Sequence, residues 1–199
     1  TPSSPGKPGK AAAYPSGEPR VISPGGRTRI EAENFDLGGE GVAYHDTTPQ
    51  NLGGTYRPSD GVDISLSGDS EGEHAVTHTA SGEWLNYTIN VRNSGRYRLR
   101  IRASRADGGA GRIRVYFDGV DKSGEISLQH TGNAKTYVTN DAGTVELAAG
   151  QQVMRVHFLN GGVNVNWFEL EAQGGSATPT QTASTANRTT TVTSAPQQQ

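Results

Sequence analysis

The sequence predicts an all-β fold, a two-sheet antiparallel β-sandwich of the jelly-roll type with extended N- and C-terminal tails. Three observations predict it. Apolar and polar residues alternate along several short segments, as they do in strands that bury one face. Gly, Asn and Asp clusters that favour turns separate these segments. No stretch has a sustained helical period with capping residues, so we expect the strands to pack sheet against sheet.

The strands follow from this alternation in chain order. The first two cover residues 85–91 and residues 95–103, and in the second every even position is an arginine. Residues 112–118, 154–158 and 163–167 follow, each with apolar residues at alternate positions. The pattern in the last segment places Trp167 in the core, together with Val163 and Val165.

Composition divides the chain into three parts. Residues 27–173 contain the predicted strands and form the sandwich domain. Residues 1–26 are rich in Pro, Gly and Lys, and residues 174–199 are rich in Ser and Thr. Such segments bury too little apolar surface to offset the entropy of ordering them. We interpret the first as a linker or docking segment and the second as a linker or a strand-donating tail.

Charge and composition exclude several classes of protein. The net charge of -2 gives no global attraction to nucleic acid, so no nucleic-acid partner is expected. The chain has no cysteine, which excludes disulfides and thiolate metal sites. No run approaches 18 apolar residues, so no membrane span is predicted. Because the chain begins with Thr1, we expect a mature product or a fragment of a secreted, extracellular protein whose targeting peptide has been removed.

Seven short motifs follow one another along the chain in a characteristic order. They are Ile30-Glu31-Ala32-Glu33-Asn34-Phe35, Gly82-Glu83-Trp84-Leu85-Asn86-Tyr87-Thr88, Ser94-Gly95-Arg96-Tyr97, Arg102-Ala103-Ser104, Thr131-Gly132, Leu147-Ala148-Ala149-Gly150 and Asn164-Val165-Asn166-Trp167-Phe168. In this order and spacing, the chain resembles the family 6 carbohydrate-binding modules appended to bacterial polysaccharide hydrolases, over about residues 27–172. Residues 41–48, with Tyr56-Arg57 and residues 62–64, look like the longer variant attached to β-1,3-glucanases and agarases. The resemblance implies a jelly roll of the galactose-binding, lectin-like kind.

Two acidic residues near the start of the domain predict a calcium site. Glu31 and Glu33 are two apart, so in a strand both carboxylates face the same side and repel each other unless a cation lies between them. Calcium binds six to eight oxygens of this kind. The resemblance implies a structural Ca²⁺ here, completed by Asn166, and the alternative is an exposed acidic edge. Residues 69–73 carry three more alternating acids, for which a solvated loop is favoured over a second ion.

The resemblance also implies a sugar-binding cleft at the edge of the sandwich. In the family, two aromatic rings sandwich a terminal sugar there and an asparagine binds its hydroxyls. Asn164 matches the asparagine, but the ring positions match His78 and Ala134, so this sequence departs from the pattern. Tyr44 and Tyr137 are the candidates to supply a missing ring.

A second cleft is implied on the face of one sheet, where the family's tryptophan matches Trp84. Alternation points Trp84 away from Leu85 and Tyr87, and therefore away from the core. An outward tryptophan on a strand suggests a contact surface. The alternative is that the insertion at residues 38–64 covers it.

Arginines form an outward stripe on two of the predicted strands. Guanidinium groups bind carboxylate, sulfate or phosphate through paired hydrogen bonds, so the stripe is a candidate anion-binding face for an acidic polysaccharide or an acidic neighbour. The alternative, which we favour, is a solvated face paired with acids from other strands. Arg155 and His157 extend this face. The six arginines at its centre are Arg96, Arg98, Arg100, Arg102, Arg112 and Arg114.

Taken with the resemblance, these features indicate a non-catalytic carbohydrate-binding module. It would anchor a secreted protein or enzyme to a polysaccharide of the β-glucan or galactan type, with a catalytic domain in the same parent chain as a possible partner. The alternative is a structural subunit of an extracellular assembly or fibre, in which residues 189–194 add as a strand to a neighbouring copy. Catalysis is not expected, because no pair of carboxylates stands in an evident cleft and the five histidines lack metalloprotease spacing.

Overall fold

The computed structural model of this protein describes residues 11–174, and these residues form a β-sandwich. Its strands are β1 (Arg20–Ile22), β2 (Arg27–Glu31), β3 (Tyr44–His45), β4 (Ile64–Asp69), β5 (Gly72–Val76), β6 (Trp84–Val91), β7 (Gly95–Ser104), β8 (Gly111–Phe117), β9 (Val120–Asp121), β10 (Ile126–Leu128), β11 (Val138–Leu147), β12 (Gly150–Phe158) and β13 (Asn164–Ala172). A 3₁₀ turn, Ala32–Asn34, follows β2.

The strands form two sheets that face each other. The first sheet has the order β1-β6-β12-β8-β10, with β3 also paired to β6 and β9 to β8. The second sheet has the order β11-β7-β13-β5-β4, with β2 also paired to β13. The pairs are antiparallel except for β1 and β6. The predicted two-sheet antiparallel sandwich is therefore confirmed. Among residues 11–174, no helix is long and apolar enough to cross a membrane.

The core lies between the sheets and is built from alternate residues of each strand. On β7, Leu99 and Ile101 are fully buried, while the arginines that alternate with them point outward. Val115 of β8 and Val156 of β12 face them from the first sheet and are also fully buried. Burying side chains of this size stabilises a fold by about 1.5–3 kcal/mol each, so this alternation supplies most of the force that holds the two sheets together.

Trp167 is buried, but on the outer side of the second sheet and not in the predicted core. Val165 lies opposite Ala103, and the next paired residue, Trp167, lies opposite the outward Arg102. Asn166 is the extra residue of a β-bulge, which shifts the alternation by one position and turns the indole outward. The ring is covered there by Arg29, whose guanidinium carbon lies 4.2 Å from the ring centroid.

The described part of the N-terminal segment packs on the sandwich. β1 adds to β6 in parallel, and its Ile22 is 0% exposed. Ala12 exchanges two backbone hydrogen bonds with Leu37, of 3.1 and 2.7 Å. Residues 11–22 therefore contact the domain through β1 and through the backbone of Ala12. Of the tail at residues 174–199, which was interpreted as a linker or a strand-donating tail, all but Gly174 lies outside the described residues.

Candidate functional site

The strongest candidate site lies on the outer face of the first sheet, where β6, β12 and β8 run side by side. The strand register fixes which side chains meet. Arg155 of β12 lies opposite Asn86 on one side and Tyr116 on the other. In the next outward row, His157 lies opposite Trp84 and Arg114. Neighbouring strands are about 4.8 Å apart, so these side chains form a continuous patch.

The patch is concave. A cleft of about 580 Å³ opens above it, within the usual size range of ligand sites. One wall is the β8–β9 turn, in which Asp118 (φ 49°) and Gly119 (φ 79°) both adopt left-handed conformations, as a tight hairpin turn of this type requires. Oδ1 of Asp118 accepts a 2.9 Å hydrogen bond from the Val153 N–H, which holds the wall against β12. The cleft is lined by Trp84, Asn86, Tyr116, Asp118, Gly119, Val153, Arg155 and His157.

Trp84 and Arg155 form the centre of the cleft. The guanidinium carbon of Arg155 lies 3.9 Å from the indole centroid, a cation–π contact. Its Nε donates a 2.8 Å hydrogen bond to Oδ1 of Asn86. These two contacts hold the arginine in place. Burial lowers the pKa of Arg155 from its usual value, because the charged form has lost part of its water.

The insertion at residues 38–64 lies beside Trp84 and does not cover the cleft. β3 pairs with β6 so that His45 is opposite Trp84, with ring centroids 6.5 Å apart. His45 Nδ1 is 2.6 Å from Oε1 of Glu40, also in the insertion. The indole is half-buried and still lines the cleft. The outward orientation predicted for Trp84 therefore holds, and imidazoles stand on both sides of it.

Sequence reasoning did not single out Tyr116 and Asn86. The signal for Tyr116 was present, because it falls between the inward Val115 and Phe117 and so must face outward. Its ring centroid is 6.4 Å from that of His157, with the planes at 51°. Asn86 gave no such signal, because its role depends on the neighbouring strand that brings Arg155 against it.

The edge cleft has a polar centre but lacks aromatic walls. Nδ2 of Asn164 donates to Oγ of Ser104 at 3.3 Å and to the carbonyl of Ala134 at 3.2 Å, so both amide hydrogens are used within the protein. His78 is exposed, with a φ of 51°, and its Nδ1 lies 3.1 Å from Oγ1 of Thr77. Ala134 contributes a backbone carbonyl and no ring. One imidazole therefore stands where the family pattern has two rings.

Neither tyrosine proposed to fill that gap offers a ring to a ligand. Tyr44 is 5% exposed, packs edge-on against Phe35 at 5.3 Å, and accepts a hydrogen bond from the Gly61 N–H. Tyr137 is 6% exposed, and its hydroxyl has no hydrogen-bond partner among residues 11–174. Burial raises the pKa of Tyr137 to about 12. Both rings are enclosed by protein, so the prediction that they stack on sugar must be corrected.

The six arginines of the predicted anion-binding face do not form one face. Four lie on β7 in the second sheet and two on β8 in the first, so they occupy opposite outer surfaces of the sandwich. Five of them pair with carboxylates, as the alternative interpretation expected, which neutralises the charge that an anion would bind. The pairs are Arg98 with Asp141, Arg100 with Glu169 and Glu171, Arg102 with Asp69 and Glu71, Arg112 with Glu125, and Arg114 with Asp121.

The three predicted calcium ligands share one property. Oε2 of Glu31, Oε2 of Glu33 and Oδ1 of Asn166 are all buried and have no hydrogen-bond partner among residues 11–174. Burial raises the pKa of both glutamates, and burial together with the charges of Glu31 and Glu73 raises that of Glu33 to about 7. Nδ2 of Asn166 donates to Asp69, which leaves its oxygen free. These unsatisfied oxygens fit a hard divalent cation.

The ligand set is two carboxylates and one amide. No group of three or more His, Cys, Asp or Glu side chains in the described part of the chain is placed to hold a metal ion. Among the acids of residues 69–73, which were interpreted as a solvated loop, Asp69 and Glu71 pair with arginines, and the side chain of Asp69 is only 5% exposed.

Solved structures with a similar fold are modules of carbohydrate-active proteins. The family 6 module at the C terminus of the laminarinase LamC from Zobellia galactanivorans is 26% identical, with a TM-score of 0.57 over 73% of this chain and 98% of that one. A family 6 module of Cellvibrio mixtus lichenase 5A, solved with cellotriose, is 24% identical, with a TM-score of 0.56 over 74% of this chain and 98% of that one. A family 35 module from Clostridium thermocellum is 16% identical, with a TM-score of 0.57 over 74% of this chain and 98% of that one.

A family model assigns the chain more closely. No curated protein matches the sequence. The model described as carbohydrate binding module (family 35) matches residues 59–170, more than half of the chain. The predicted kind of module is thus confirmed, while the family number differs from the family 6 expected from the motifs. The matched segment contains every residue that lines the Trp84 cleft, and the chain belongs to family 35 of the carbohydrate-binding modules.

Proposed function

We propose that this module binds a polysaccharide in the Trp84 cleft and thereby anchors the secreted protein or enzyme that carries it. The observation that carries the proposal is the row of Trp84 and His157 within an open cleft of about 580 Å³. Sugar sites combine flat apolar rings for the pyranose faces with a few polar groups for the hydroxyls. Here Tyr116 adds a third ring, and Asn86 and Asp118 supply amide and carboxylate groups.

The edge cleft is the weaker candidate. Its single exposed ring is His78, and the amide hydrogens of Asn164 already bind Ser104 and Ala134. A terminal sugar would have to break those contacts to use them. Because the edge cleft is poorly equipped to bind a sugar, the face of the first sheet is the surface on which we place the glycan chain, lying along its length.

The glycan is of the β-glucan or galactan type. This part of the proposal rests on the resemblance of residues 41–48 and 62–64 to the longer variant attached to β-1,3-glucanases and agarases. The 26% identity to a module that belongs to a laminarinase supports it. The cleft offers rings and hydrogen-bonding groups for holding a sugar chain, so the role proposed is binding without catalysis.

A structural Ca²⁺ belongs to the same proposal. Glu31, Glu33 and Asn166 would hold it through the three buried oxygens that otherwise lack partners. The ion would supply the positive charge that two adjacent buried carboxylates need. It would fix the end of β2 against the bulge of β13, far along the chain.

Affinity electrophoresis of the full chain tests the binding site. Laminarin, agarose and xylan would be cast in separate gels, and a module that binds one of them is retarded in that gel. We expect Trp84→Ala to weaken binding at least tenfold, a loss of about 1.4 kcal/mol, because buried aromatic anchors dominate binding energies. Asn164→Ala, the matched change in the edge cleft, should leave binding unchanged.

The two variants also show how the proposal fails. If Asn164→Ala abolishes retardation and Trp84→Ala does not, the edge cleft is the binding site. If a folded protein is retarded by no glycan, polysaccharide binding by this chain is excluded for the glycans tested. Circular dichroism and thermal unfolding of each variant would establish that it is folded.

A further inference from the structure

We propose that the glycan bound in the Trp84 cleft carries negative charges, and that Arg155 binds its carboxylate or sulfate group. This rests on the proposed function and names the class of ligand for the same site. The starting observation is a contrast between arginines. Five of the six arginines first considered for anion binding have carboxylate partners, whereas Arg155 has no carboxylate within 4 Å among residues 11–174.

Arg155 is held in position without being neutralised. Its Nε donates to Asn86, and its guanidinium carbon lies 3.9 Å from the ring centroid of Trp84. These contacts use one N–H and one face of the group. Neither terminal nitrogen, Nη1 or Nη2, has an acceptor in the described part of the protein, and neither is enclosed by it. The end of the guanidinium is therefore free to form paired hydrogen bonds.

The chemistry of the guanidinium selects an anionic partner. A planar fork of N–H donors matches the two oxygens of a carboxylate or sulfate group, and charge-assisted hydrogen bonds of this kind are roughly twice as strong as neutral ones. Because the side chain is already ordered by Trp84 and Asn86, little further entropy is lost on binding. Partial burial lowers the pKa of Arg155, and no carboxylate among residues 11–174 supplies an opposing charge. An anionic group on the ligand would supply that charge.

The other charged groups around the cleft fix the direction of the ligand. Arg114, in the neighbouring row, is paired with Asp121 at 3.0 Å. Asp118 lies in the wall formed by the turn, where its Oδ1 accepts the N–H of Val153. The negative charge of the Asp118 carboxylate repels an acidic group of the ligand, and its oxygens can accept hydrogen bonds from sugar hydroxyls. The acidic group of a sugar would therefore lie over Arg155, with neutral hydroxyls toward Asp118.

Matched pairs of glycans test the inference. Polygalacturonate would be compared with its methyl ester, and a sulfated galactan with agarose, by isothermal titration of the full chain. We expect each charged glycan to bind at least tenfold more tightly than its neutral counterpart. This difference in affinity should become smaller as the salt concentration rises. Polygalacturonate reports recognition of a carboxylate, and the sulfated galactan reports recognition of a sulfate ester.

Two variants separate local recognition from overall charge. Arg155→Gln should remove the preference for charged glycans, and Arg155→Lys should retain only part of it, since lysine keeps the charge and loses the fork. Arg112→Gln makes the same charge change on β8, outside the cleft, and should retain the preference. A loss of preference in both Gln variants would overturn the inference in favour of nonspecific attraction.

The outcomes distinguish the two proposals. If charged and neutral glycans bind equally, and Trp84→Ala weakens both, the inference fails while the proposed site stands. If neither kind binds to the folded chain, the proposed function fails and the inference fails with it. If the charged glycans bind and Trp84→Ala has no effect, the anionic site lies elsewhere and the inference is wrong.

Discussion

At the scale of single residues, the buried polar atoms are the most informative. Glu31, Glu33 and Asn166 each leave an oxygen without a partner among residues 11–174. A buried polar atom without a hydrogen bond costs about 1–3 kcal/mol, and a charged one costs more. Three such atoms from the same predicted ligand set are hard to reconcile with a metal-free protein at neutral pH. The proposed calcium site rests on these three atoms.

Calcium removal is the first prediction at this scale. A ligand that binds the folded state at 100 times its Kd stabilises it by about 2.7 kcal/mol, which for a domain of this size raises Tm by roughly 5–10 °C. We therefore expect a chelator to lower Tm by that amount, as measured by differential scanning calorimetry. Glu33→Gln should no longer respond to calcium, whereas Glu125→Gln, in the loop before β10 of the first sheet, should respond like the wild type. A wild type that binds no calcium and is insensitive to chelation would refute the site.

Asp46 gives a prediction of pH dependence. Burial, with a smaller contribution from the nearby charges of Glu83 and Asp63, raises its pKa to about 6 despite two hydrogen bonds from Thr48. A carboxyl whose pKa is raised on folding stabilises the protein while it is protonated, so this contribution is lost as pH rises from about 4 through 6. Because the group is only partly buried, we expect the effect to be about 1–2 kcal/mol.

Comparison with Asp46→Asn isolates this effect. The free energy of unfolding would be measured in denaturant at pH 4.5 and pH 7.5 for both proteins. The variant should gain stability relative to the wild type at the higher pH. Identical pH dependence in the two proteins would mean that Asp46 has an ordinary pKa in the folded state.

At the scale of elements, strands with regular alternation were predictable and irregular ones were not. β7 follows the predicted residues 95–103 closely because its inward and outward positions alternate without interruption. The prediction from alternation was wrong at β13, because the bulge at Asn166 shifts the inward–outward alternation by one residue and moves Trp167 to the outer side. Alternation also cannot say which sheet a strand joins, so the arginines of β7 and β8 were assigned to one face when they occupy two.

β1 was missed for a different reason. It has three residues in a segment rich in Pro and Gly, and it pairs with β6, which lies far along the chain. The local sequence of such a strand contains no pattern that predicts it, since its stability comes from tertiary contacts. Ile22 carries most of that contact, because its side chain is fully buried while Val21 is 37% exposed.

These neighbouring residues make a matched test of the element. Ile22→Ala should lower the free energy of unfolding by about 2–5 kcal/mol, since it removes a fully buried side chain. Val21→Ala should change it by less than about 0.5 kcal/mol. Chemical denaturation of the full chain measures both. Equal, small effects would mean that residues 20–22 only rest on the surface and act as the linker that composition suggests.

At the scale of the whole molecule, the two outer faces of the sandwich have different tasks. The second sheet carries the ion pairs of the β7 arginines Arg98, Arg100 and Arg102, and Asp69 connects Arg102 to the candidate calcium site. Asp69 accepts two 2.8 Å hydrogen bonds from Arg102 and one of 3.0 Å from Asn166, and the bonds from Arg102 hold its pKa below the usual value. The first sheet carries the Trp84 cleft, which contains no part of this network.

Arg102→Gln tests whether the faces are independent. The change leaves Asp69 with a side chain 5% exposed and no cationic partner. We expect it to lower the free energy of unfolding by roughly 2–4 kcal/mol, because a buried charge that loses its partner is costly. Calcium affinity should fall as well, since Asn166 loses a fixed neighbour. Glycan affinity, measured by titration well below Tm, should stay within about twofold of the wild type, because Arg155 and Trp84 are on the other sheet. A parallel loss of calcium and glycan affinity would instead show that the second sheet governs the shape of the cleft through the core.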